Sequence, residues 1–324
     1  MFALAAFLLL SPAPPKVSAW LIFGDGGHSL GTFVEHASLL SSVSGKWYES
    51  APDGAVQRSK GGSEGERAQA LTAAHANNVE IYGLVANPGF DPASVEAFLS
   101  DPAKTKAHVD ALVSDAIEDG LDGIDVDYES LKAGDRNGFS SFVEQLGKAL
   151  HRSHKALAIA LHPKTSETGN WDGAQAQDWK RIGAAADYVR VMCYDQHWES
   201  SEAGPVADIA WVKQVVAFAL TEIPKNKLDI GVPAYGYDWV GKKGRSLDWD
   251  DFHALPGSDG AVRDPGSQEL TLHHGDGFAW FCDNVSEALK LDLAKQLGVH
   301  GVAVWRIGSE DPGWWEMVQK SVSR

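Results

Sequence analysis

Short apolar segments recur along the chain at fairly regular intervals, and longer segments with a helical period separate them. The short segments are rich in Val, Ile, Leu, Ala and Tyr and do not alternate strictly with polar residues. Parallel strands that are buried on both faces have this composition. The pattern predicts eight strands, at residues 19–24, 46–50, 79–87, 123–129, 156–162, 188–195, 228–235 and 301–307.

The segments between these strands carry apolar residues about 3.6 positions apart, as amphipathic helices do. Val109, Leu112 and Ala116 form one such face. The predicted helices span residues 66–77, 91–119, 136–154, 178–186, 209–222 and 286–297.

Eight strands with helices between them predict an α/β fold, a (β/α)8 TIM barrel. The structural alternative is an open, doubly wound sheet, which usually has a Gly-rich turn between its first strand and a helix. The segment Gly24-Asp25-Gly26-Gly27 resembles that turn only loosely and does not open a clean helical period, so the barrel is favoured. Residues 236–283 lack a long helical period and predict a small β-rich insertion after the seventh strand, flanking the mouth of the barrel.

The N-terminal segment resembles a processed leader. Residues 2–10 are apolar, and Val17-Ser18-Ala19 resembles a small-residue cleavage site. We therefore expect a signal peptide over residues 1–15, extending as far as 19, followed by a catalytic barrel over 16–324. Alternatively, residues 16–19 open the first strand. A leader implies a secreted, periplasmic or cell-envelope protein, and no other segment is long and apolar enough to span a membrane.

Charge and cysteine content narrow the possible partners. The 324 residues carry 28 Lys and Arg against 44 Asp and Glu, a formal net charge of −16. This balance disfavours nucleic acid and anionic membranes as partners. Two cysteines, Cys193 and Cys282, are too few for a disulfide framework or a metal cluster, and they are either two buried thiols or one bridge.

The fourth predicted strand carries the most informative motif, Asp122-Gly-Ile-Asp125-Val-Asp127-Tyr-Glu129. Residues two apart on a strand point to the same face, so Asp125, Asp127 and Glu129 share one side. Like charges about 6.7 Å apart repel by about 2.5 kcal/mol at an effective dielectric of about 20. The three groups should therefore titrate together, with at least one protonated near neutral pH and able to act as a general acid. Asp122 has the opposite parity, and we interpret it as a structural hydrogen-bond anchor.

Other polar and aromatic residues lie at the predicted strand ends, where barrels of this type place their active sites. The fifth strand ends at His162, which we interpret as a satisfied polar residue rather than a functional one. The sixth ends in Met192-Cys-Tyr194-Asp195, the seventh in Pro-Ala-Tyr235-Gly, and the eighth carries Trp305. Together with Glu129, these groups can bind and protonate a sugar.

The chain resembles glycoside hydrolase family 18, the chitinase-like hydrolases, from about Val17 to its end. The motif at Asp122, Asp125, Asp127 and Glu129 is highly specific in this context, while Met192-x-Tyr194-Asp195, Trp305 and Pro-x-Tyr235-Gly support it. Typical chitinases of the family carry Ser-x-Gly-Gly at the third strand. Here residues 81–87 depart from that pattern and resemble the bacterial branch of spore-cortex and peptidoglycan N-acetylglucosaminidases. Residues 305–312 resemble the same branch.

The resemblance implies hydrolysis of β-1,4-linked N-acetylglucosamine glycans with retention and substrate assistance. Glu129 would be the general acid and base, Asp127 would orient the substrate acetamido group, and Asp125 would share a proton with Asp127. Tyr194 would donate to the acetamido oxygen. Substrate contacts would come from Asp195, Met192, Tyr235 and a floor formed by Trp305.

The resemblance also implies that no metal or organic cofactor is required and that the partner is a polysaccharide or oligosaccharide containing N-acetylglucosamine, bound by a monomer. The chitin-type and peptidoglycan-type glycans both remain open as substrate. The alternative function is a non-catalytic chitin- or glycan-binding protein on the same barrel. The presence of Glu129 favours the enzyme, since relatives that became lectins typically lost this residue.

Overall fold

The computed structural model describes residues 13–322, and eight parallel strands in it close into a barrel. These strands are β1 (Lys16–Leu21), β2 (Ser42–Ser50), β3 (Glu80–Ala86), β4 (Gly123–Asp127), β5 (Ala156–Leu161), β6 (Tyr188–Val191), β7 (Leu228–Pro233) and β8 (Gly301–Trp305). Each strand pairs in parallel with its neighbours in the chain, and β1 pairs with both β2 and β8, which closes the ring. The predicted TIM barrel is confirmed.

Most of the helices connect strands of the ring on its outside, while the ninth lies within the insertion after β7 and the last follows β8. They are α1 (His28–His36), α2 (Glu64–Ala76), α3 (Ala93–Leu99), α4 (Pro102–Glu118), α5 (Arg136–Arg152), α6 (Asp172–Gln175), α7 (Trp179–Ala185), α8 (Ile209–Glu222), α9 (Trp249–His253), α10 (Asn284–Leu297) and α11 (Trp314–Val322). Short 3₁₀ turns occupy Ala37–Leu39, Pro88–Phe90, Ala133–Asp135, Lys225–Lys227 and Ser258–Gly260.

The single helix predicted over 91–119 is wrong, because the structure divides it into α3 and α4. The backbone at Asp101 is extended (φ −136°, ψ 117°), and its side chain caps α4 by accepting a hydrogen bond from Ala103 N–H at 2.8 Å. A residue that precedes proline disfavours the α conformation, and Pro102 suits the first position of a helix. The Asp101-Pro102 step therefore accounts for the break between α3 and α4.

Four short helices were not among those predicted, and the two longest of them are α1 and α11. Helix α1 begins directly after Gly27, so the Gly-rich segment does precede a helix, and it is the closed strand order that distinguishes the barrel from an open sheet. Helix α11 packs Trp314, Trp315 and Val318 inward. Each helix has only nine residues, too short a segment for the helical period to stand out in the sequence.

The insertion forms a second, antiparallel sheet of five strands. In spatial order they are Lys243–Leu247, Gly236–Val240, Gly277–Phe281, Leu270–His274 and Val262–Arg263. The sheet has its own small apolar core, which includes Leu247, Phe252 and Phe281. One further short strand, Val56–Arg58, pairs antiparallel with the end of β2. The predicted insertion after the seventh strand is thus confirmed.

Residues 1–12, which carry most of the predicted leader, lie outside the described residues, and the leader stays a prediction. Lys16–Ala19 pair with β8 as part of β1, as the alternative interpretation expects. Cys193 and Cys282 are both buried and free. The structure therefore agrees with two buried thiols and not with a disulfide bridge. Among residues 13–322, no helix combines the length and apolar character needed to cross a membrane.

Candidate active site

A cleft of about 1000 Å³ opens at the carboxyl ends of the barrel strands. Asp127, Glu129, Tyr194, Met192 and Asp195 line it, and Trp20 and Trp305 contribute indole rings. These two rings meet edge to face, with centroids 6.0 Å apart. The structure therefore gathers in one cavity six residues that the sequence singles out from strands β4, β6 and β8.

Tyr235, the remaining predicted substrate contact, lies in an adjoining pocket of about 260 Å³ between the barrel and the insertion. Its hydroxyl donates a hydrogen bond of 2.5 Å to Asp195 Oδ1, and Tyr237 donates to the same oxygen at 2.9 Å. Asp195 and Trp305 line both cavities, so the pocket continues the cleft. Burial raises the pKa of Asp195, while the two tyrosine hydroxyls act in the opposite direction.

Strand β4 is shorter than predicted, because its pairing ends at Asp127 and Glu129 lies in the turn that follows. Ser130 adopts a left-handed conformation (φ 56°) and turns the chain away from the sheet. Asn87, at the end of β3, holds Glu129 by its backbone. Its side chain accepts from Glu129 N–H and donates to Glu129 C=O, both at 2.9 Å.

The carboxyl group of Glu129 is desolvated, with its side chain 20% exposed. Burial raises the pKa of Glu129 well above its usual range, and the nearby carboxylates of Asp127 and Asp195 raise it further. A raised pKa favours the protonated form of this carboxyl group, which a general acid requires.

Burial also raises the pKa of Asp127 to about 7; the charge of Asp125 adds to the effect and that of Lys46 opposes it. Within residues 13–322, Oδ1 of Asp127 is buried and has no hydrogen-bond partner. A buried carboxylate oxygen is normally satisfied, so this atom is available to a ligand that enters the cleft. The Tyr194 hydroxyl keeps its proton, because burial and the surrounding carboxylates raise its pKa far above the usual value.

Asp125 is completely buried beneath these groups. Its Oδ2 atom accepts hydrogen bonds from Trp20 Nε1 at 3.0 Å and from Arg190 Nη1 at 2.5 Å. Arg190 also donates to the hydroxyls of Ser42 and Ser44 inside the barrel.

Asp122 lies at the other end of β4, away from the cleft. Its carboxylate accepts the Ile81 backbone N–H at 2.9 Å and so ties β4 to β3. This contact supports the structural role that we propose for the residue.

His162 lies beside the acid. Its Nδ1 atom is 3.7 Å from Glu129 Oε2, and its Nε2 atom is 3.4 Å from Ser130 N–H. Burial lowers the pKa of His162 to about 4, so the ring is neutral near neutral pH. Trp171 covers it edge to face, at 4.6 Å between centroids.

Sequence reasoning missed Arg190, Asn87, Trp20 and Tyr237 as parts of this site. Arg190 and Trp20 lie within apolar strands, where the sequence gives no sign of what their side chains face. The Asn87-Pro88 step at a strand end is the one local signal that could have drawn attention to Asn87. Among residues 13–322, no group of three or more His, Cys, Asp or Glu side chains is arranged to hold a metal ion.

A (β/α)8 barrel with two desolvated carboxyl groups in an aromatic-lined cleft has the features of a glycoside hydrolase. The family model "Glycosyl hydrolases family 18" matches residues 53–311, most of the chain. The chain belongs to this family and is a glycosidase.

Relatives agree with this assignment. The protein named "Uncharacterized glycosylase YvbX" from Bacillus subtilis is 28% identical over 265 residues, which are 77% of each chain. The "Cortical fragment-lytic enzyme" of the same species is 27% identical over 242 residues, and the match covers 71% of this chain but only 56% of that enzyme. A chitinase structure from Chromobacterium violaceum superposes with a TM-score of 0.87 at 28% identity, covering 96% of this chain and 99% of that one.

Proposed function

We propose that the protein hydrolyses β-1,4-linked N-acetylglucosamine glycans with retention of configuration, using Glu129 as general acid and base. The observation that carries the proposal is the pairing of Glu129 with Asp127 on the wall of the cleft. Burial raises the pKa of both carboxyl groups, and the cleft is large enough for several sugar rings.

In the first step, protonated Glu129 gives its proton to the glycosidic oxygen as the bond to the anomeric carbon breaks. The carbonyl oxygen of the substrate's own 2-acetamido group forms a new bond to that carbon, giving an oxazolinium ion and releasing the leaving sugar as an alcohol. In the second step Glu129, now ionised, takes a proton from water as the water oxygen bonds to the anomeric carbon. The bond from that carbon to the acetamido oxygen breaks, which opens the oxazolinium ring and restores the acetamido group. Two displacements at one carbon retain its configuration.

Asp127 and Tyr194 would serve the acetamido group in this scheme. The unpartnered Oδ1 of Asp127 can accept the acetamido N–H and stabilise the positive charge that develops on the ring. The Tyr194 hydroxyl, which stays protonated, can donate to the acetamido oxygen. Asp125 would support Asp127 from below, where its Oδ2 atom accepts a hydrogen bond from Arg190 Nη1 at 2.5 Å.

The aromatic lining of the cleft supports a sugar substrate. Three aromatic side chains that line the cavity remain largely exposed: Trp171 is 41% exposed, Trp198 47% and Phe90 51%. Flat apolar rings that remain exposed in a cleft suit the C–H faces of pyranose rings. Trp305 would form the floor under the sugar that reacts.

We leave two glycan classes as candidate substrates, chitin-type oligomers and peptidoglycan-type glycans. The cortical fragment-lytic and chitinase names of the relatives support one class each. Either polymer lies outside the cytoplasm, so we propose a secreted, periplasmic or cell-envelope location for the protein. The monomeric state is likewise a proposal.

The test is incubation of purified protein with a β-1,4 N-acetylglucosamine tetramer and with peptidoglycan glycan strands, followed by mass spectrometry. The control variants are Glu129→Gln and Glu35→Gln, whose glutamate is 76% exposed on α1. We expect wild type and Glu35→Gln to cleave one substrate, and Glu129→Gln to be slower by about 10² to 10⁴-fold.

The anomeric configuration of the first product, read by NMR before mutarotation, tests the mechanism separately. A β-anomer agrees with two displacements, whereas an α-anomer would exclude them. Binding of both glycans without cleavage would favour the glycan-binding alternative.

A further inference from the structure

The segment between β6 and α8 carries five cleft residues, Met192, Tyr194, Asp195, Gln196 and Trp198. It closes on itself where Gln196 N–H donates to Val206 C=O at 3.0 Å. Asp208 N–H also donates to the Gln196 side chain, at 3.1 Å, just before α8 begins. The position of the cleft residues therefore depends on what holds residues 196–207, which we call the β6 loop.

The insertion holds this loop from outside at its tip. Trp239 Nε1 donates to Trp198 C=O at 3.2 Å, and Gly244 N–H donates to Glu199 C=O at 2.8 Å. The approach at Gly244 is close, because a Cβ atom there would lie 2.7 Å from Glu199 Cα. These contacts bind the half of the loop that carries Trp198.

The other half of the loop rests on one buried side chain of the insertion, Glu269. Its Oε2 atom accepts Val206 N–H and its Oε1 atom accepts Ala207 N–H, both at 2.8 Å. Glu269 is completely buried. Both of its oxygens are thus used on adjacent amides of one loop.

A buried carboxylate is unfavourable unless it is compensated. Burial raises the pKa of Glu269, while the Lys290 ammonium and the two amides act in the opposite direction. Lys290 is itself buried on α10 and donates to Glu287 at 2.8 Å. One ammonium thus lies near two buried carboxylates, those of Glu269 and Glu287, and its charge favours the ionised form of Glu269 that accepts from the two amides.

We propose that Glu269 is a positioning residue through which the insertion fixes the β6 loop, and with it Asp195, Gln196 and Trp198, at the cleft. The inference rests on the proposed function for its kinetic consequence only. The role of the insertion in this proposal is to brace a loop of the substrate cleft. Glu269 itself is not among the residues that line the cavity.

Glu269→Gln is the discriminating variant. An amide has nearly the same shape, but it offers one acceptor, and its NH₂ group would face a second N–H donor. Glu287→Gln is the matched control, because it removes a carboxylate from the same buried charge cluster without touching the loop.

The first readout is hydrogen–deuterium exchange of the free protein, followed in peptides that cover residues 196–207. We expect exchange at Val206 and Ala207 to be at least tenfold faster in Glu269→Gln and unchanged in Glu287→Gln. This measurement needs no substrate, so its failure is distinct from a failure of the proposed function.

The second readout is kinetics on whichever glycan the wild type cleaves. We expect KM to rise about fivefold or more in Glu269→Gln, with a smaller change in kcat, because the chemical groups on β4 stay in place. A purely structural role would lower the melting temperature and leave KM and the loop's exchange as in wild type.

Wild-type exchange at Val206 and Ala207 in folded Glu269→Gln overturns the proposal. If that variant does not fold, Trp239→Phe replaces it, since it removes one N–H donor to the same loop. Faster exchange around Trp198 in Trp239→Phe would then support bracing by the insertion, and unchanged exchange would overturn it.

Discussion

Arg190 and Asp125 form an ion pair at the centre of the barrel, with Nη1 and Oδ2 2.5 Å apart and both side chains completely buried. Strands β4 and β6 supply the pair, and β5 separates them in the ring. The pair lies beneath Asp127, and the charge of Asp125 helps to raise the pKa of that residue. The acidity of the site is therefore set partly by a residue that no substrate reaches.

Replacing Arg190 with Met should destabilise the fold by about 3–5 kcal/mol, because it leaves Asp125 buried without its cation. The double variant Arg190→Met/Asp125→Asn should be less destabilised than the single Arg190→Met variant, since both partners are then neutral. Chemical denaturation of the four proteins in this cycle measures the coupling. Strictly additive losses would show that the pair makes no specific contribution.

Asp125→Asn should shift the pH dependence of kcat/KM. In the proposed mechanism Asp127 must be ionised to stabilise the oxazolinium ion, so its pKa of about 7 should define the acidic limb of the profile. Removing the charge of Asp125 lowers that pKa, and the acidic limb should move to lower pH. An Asp122→Asn variant serves as control, because Asp122 lies at the far end of the strand. An acidic limb at the same pH in Asp125→Asn and wild type would contradict this assignment.

Asp127→Asn should be more stable than wild type at pH 8, and the difference should shrink towards pH 4. The folded-state pKa of about 7 lies above the ordinary value of 3.8, so the native state binds more protons between these values. The contribution of Asp127 to stability is thus fully present below the unfolded pKa and is lost as the pH rises through about 7.

Urea denaturation of wild type and Asp127→Asn at both pH values provides the measurement. Asp110→Asn, which changes a carboxylate 60% exposed on α4, is the control and should show little difference between the two pH values. A stability gap for Asp127→Asn that is larger at pH 4 than at pH 8 would reverse the sign and refute the argument.

Asn87→Ala should lower kcat by about 10²-fold, because displacement of a catalytic group by about 1 Å has an effect of this size. Asn87 holds both backbone groups of Glu129, and it also donates to Asp91 C=O at 3.0 Å. Asn77→Ala is a matched control, since Asn77 is an exposed amide that bonds only its own helix. Steady-state kinetics decide the matter, and a kcat equal to that of wild type would show that the turn holds Glu129 without Asn87.

The sequence by itself determined the order of strands and helices and the carboxylate motif, because both are local patterns. Eight apolar segments separated by helical ones predict a parallel sheet covered by helices and favour a barrel, and the two-residue spacing of Asp125, Asp127 and Glu129 can be read along one short segment. The insertion also appeared as a loss of helical period. The sequence was misleading at residues 91–119, where it predicts one helix because the helical period continues across the proline that separates α3 from α4.

Only the tertiary structure decided which partners these residues have. Arg190 meets Asp125 across the ring, Asn87 meets Glu129 from the neighbouring strand, and Glu269 reaches the β6 loop from a separate sheet. These contacts join residues 42 to 65 positions apart in the chain. No periodicity records such pairs, because they depend on how the strands and the insertion close around one another, and the same closure sets the burial that raises the pKa values of Asp127 and Glu129.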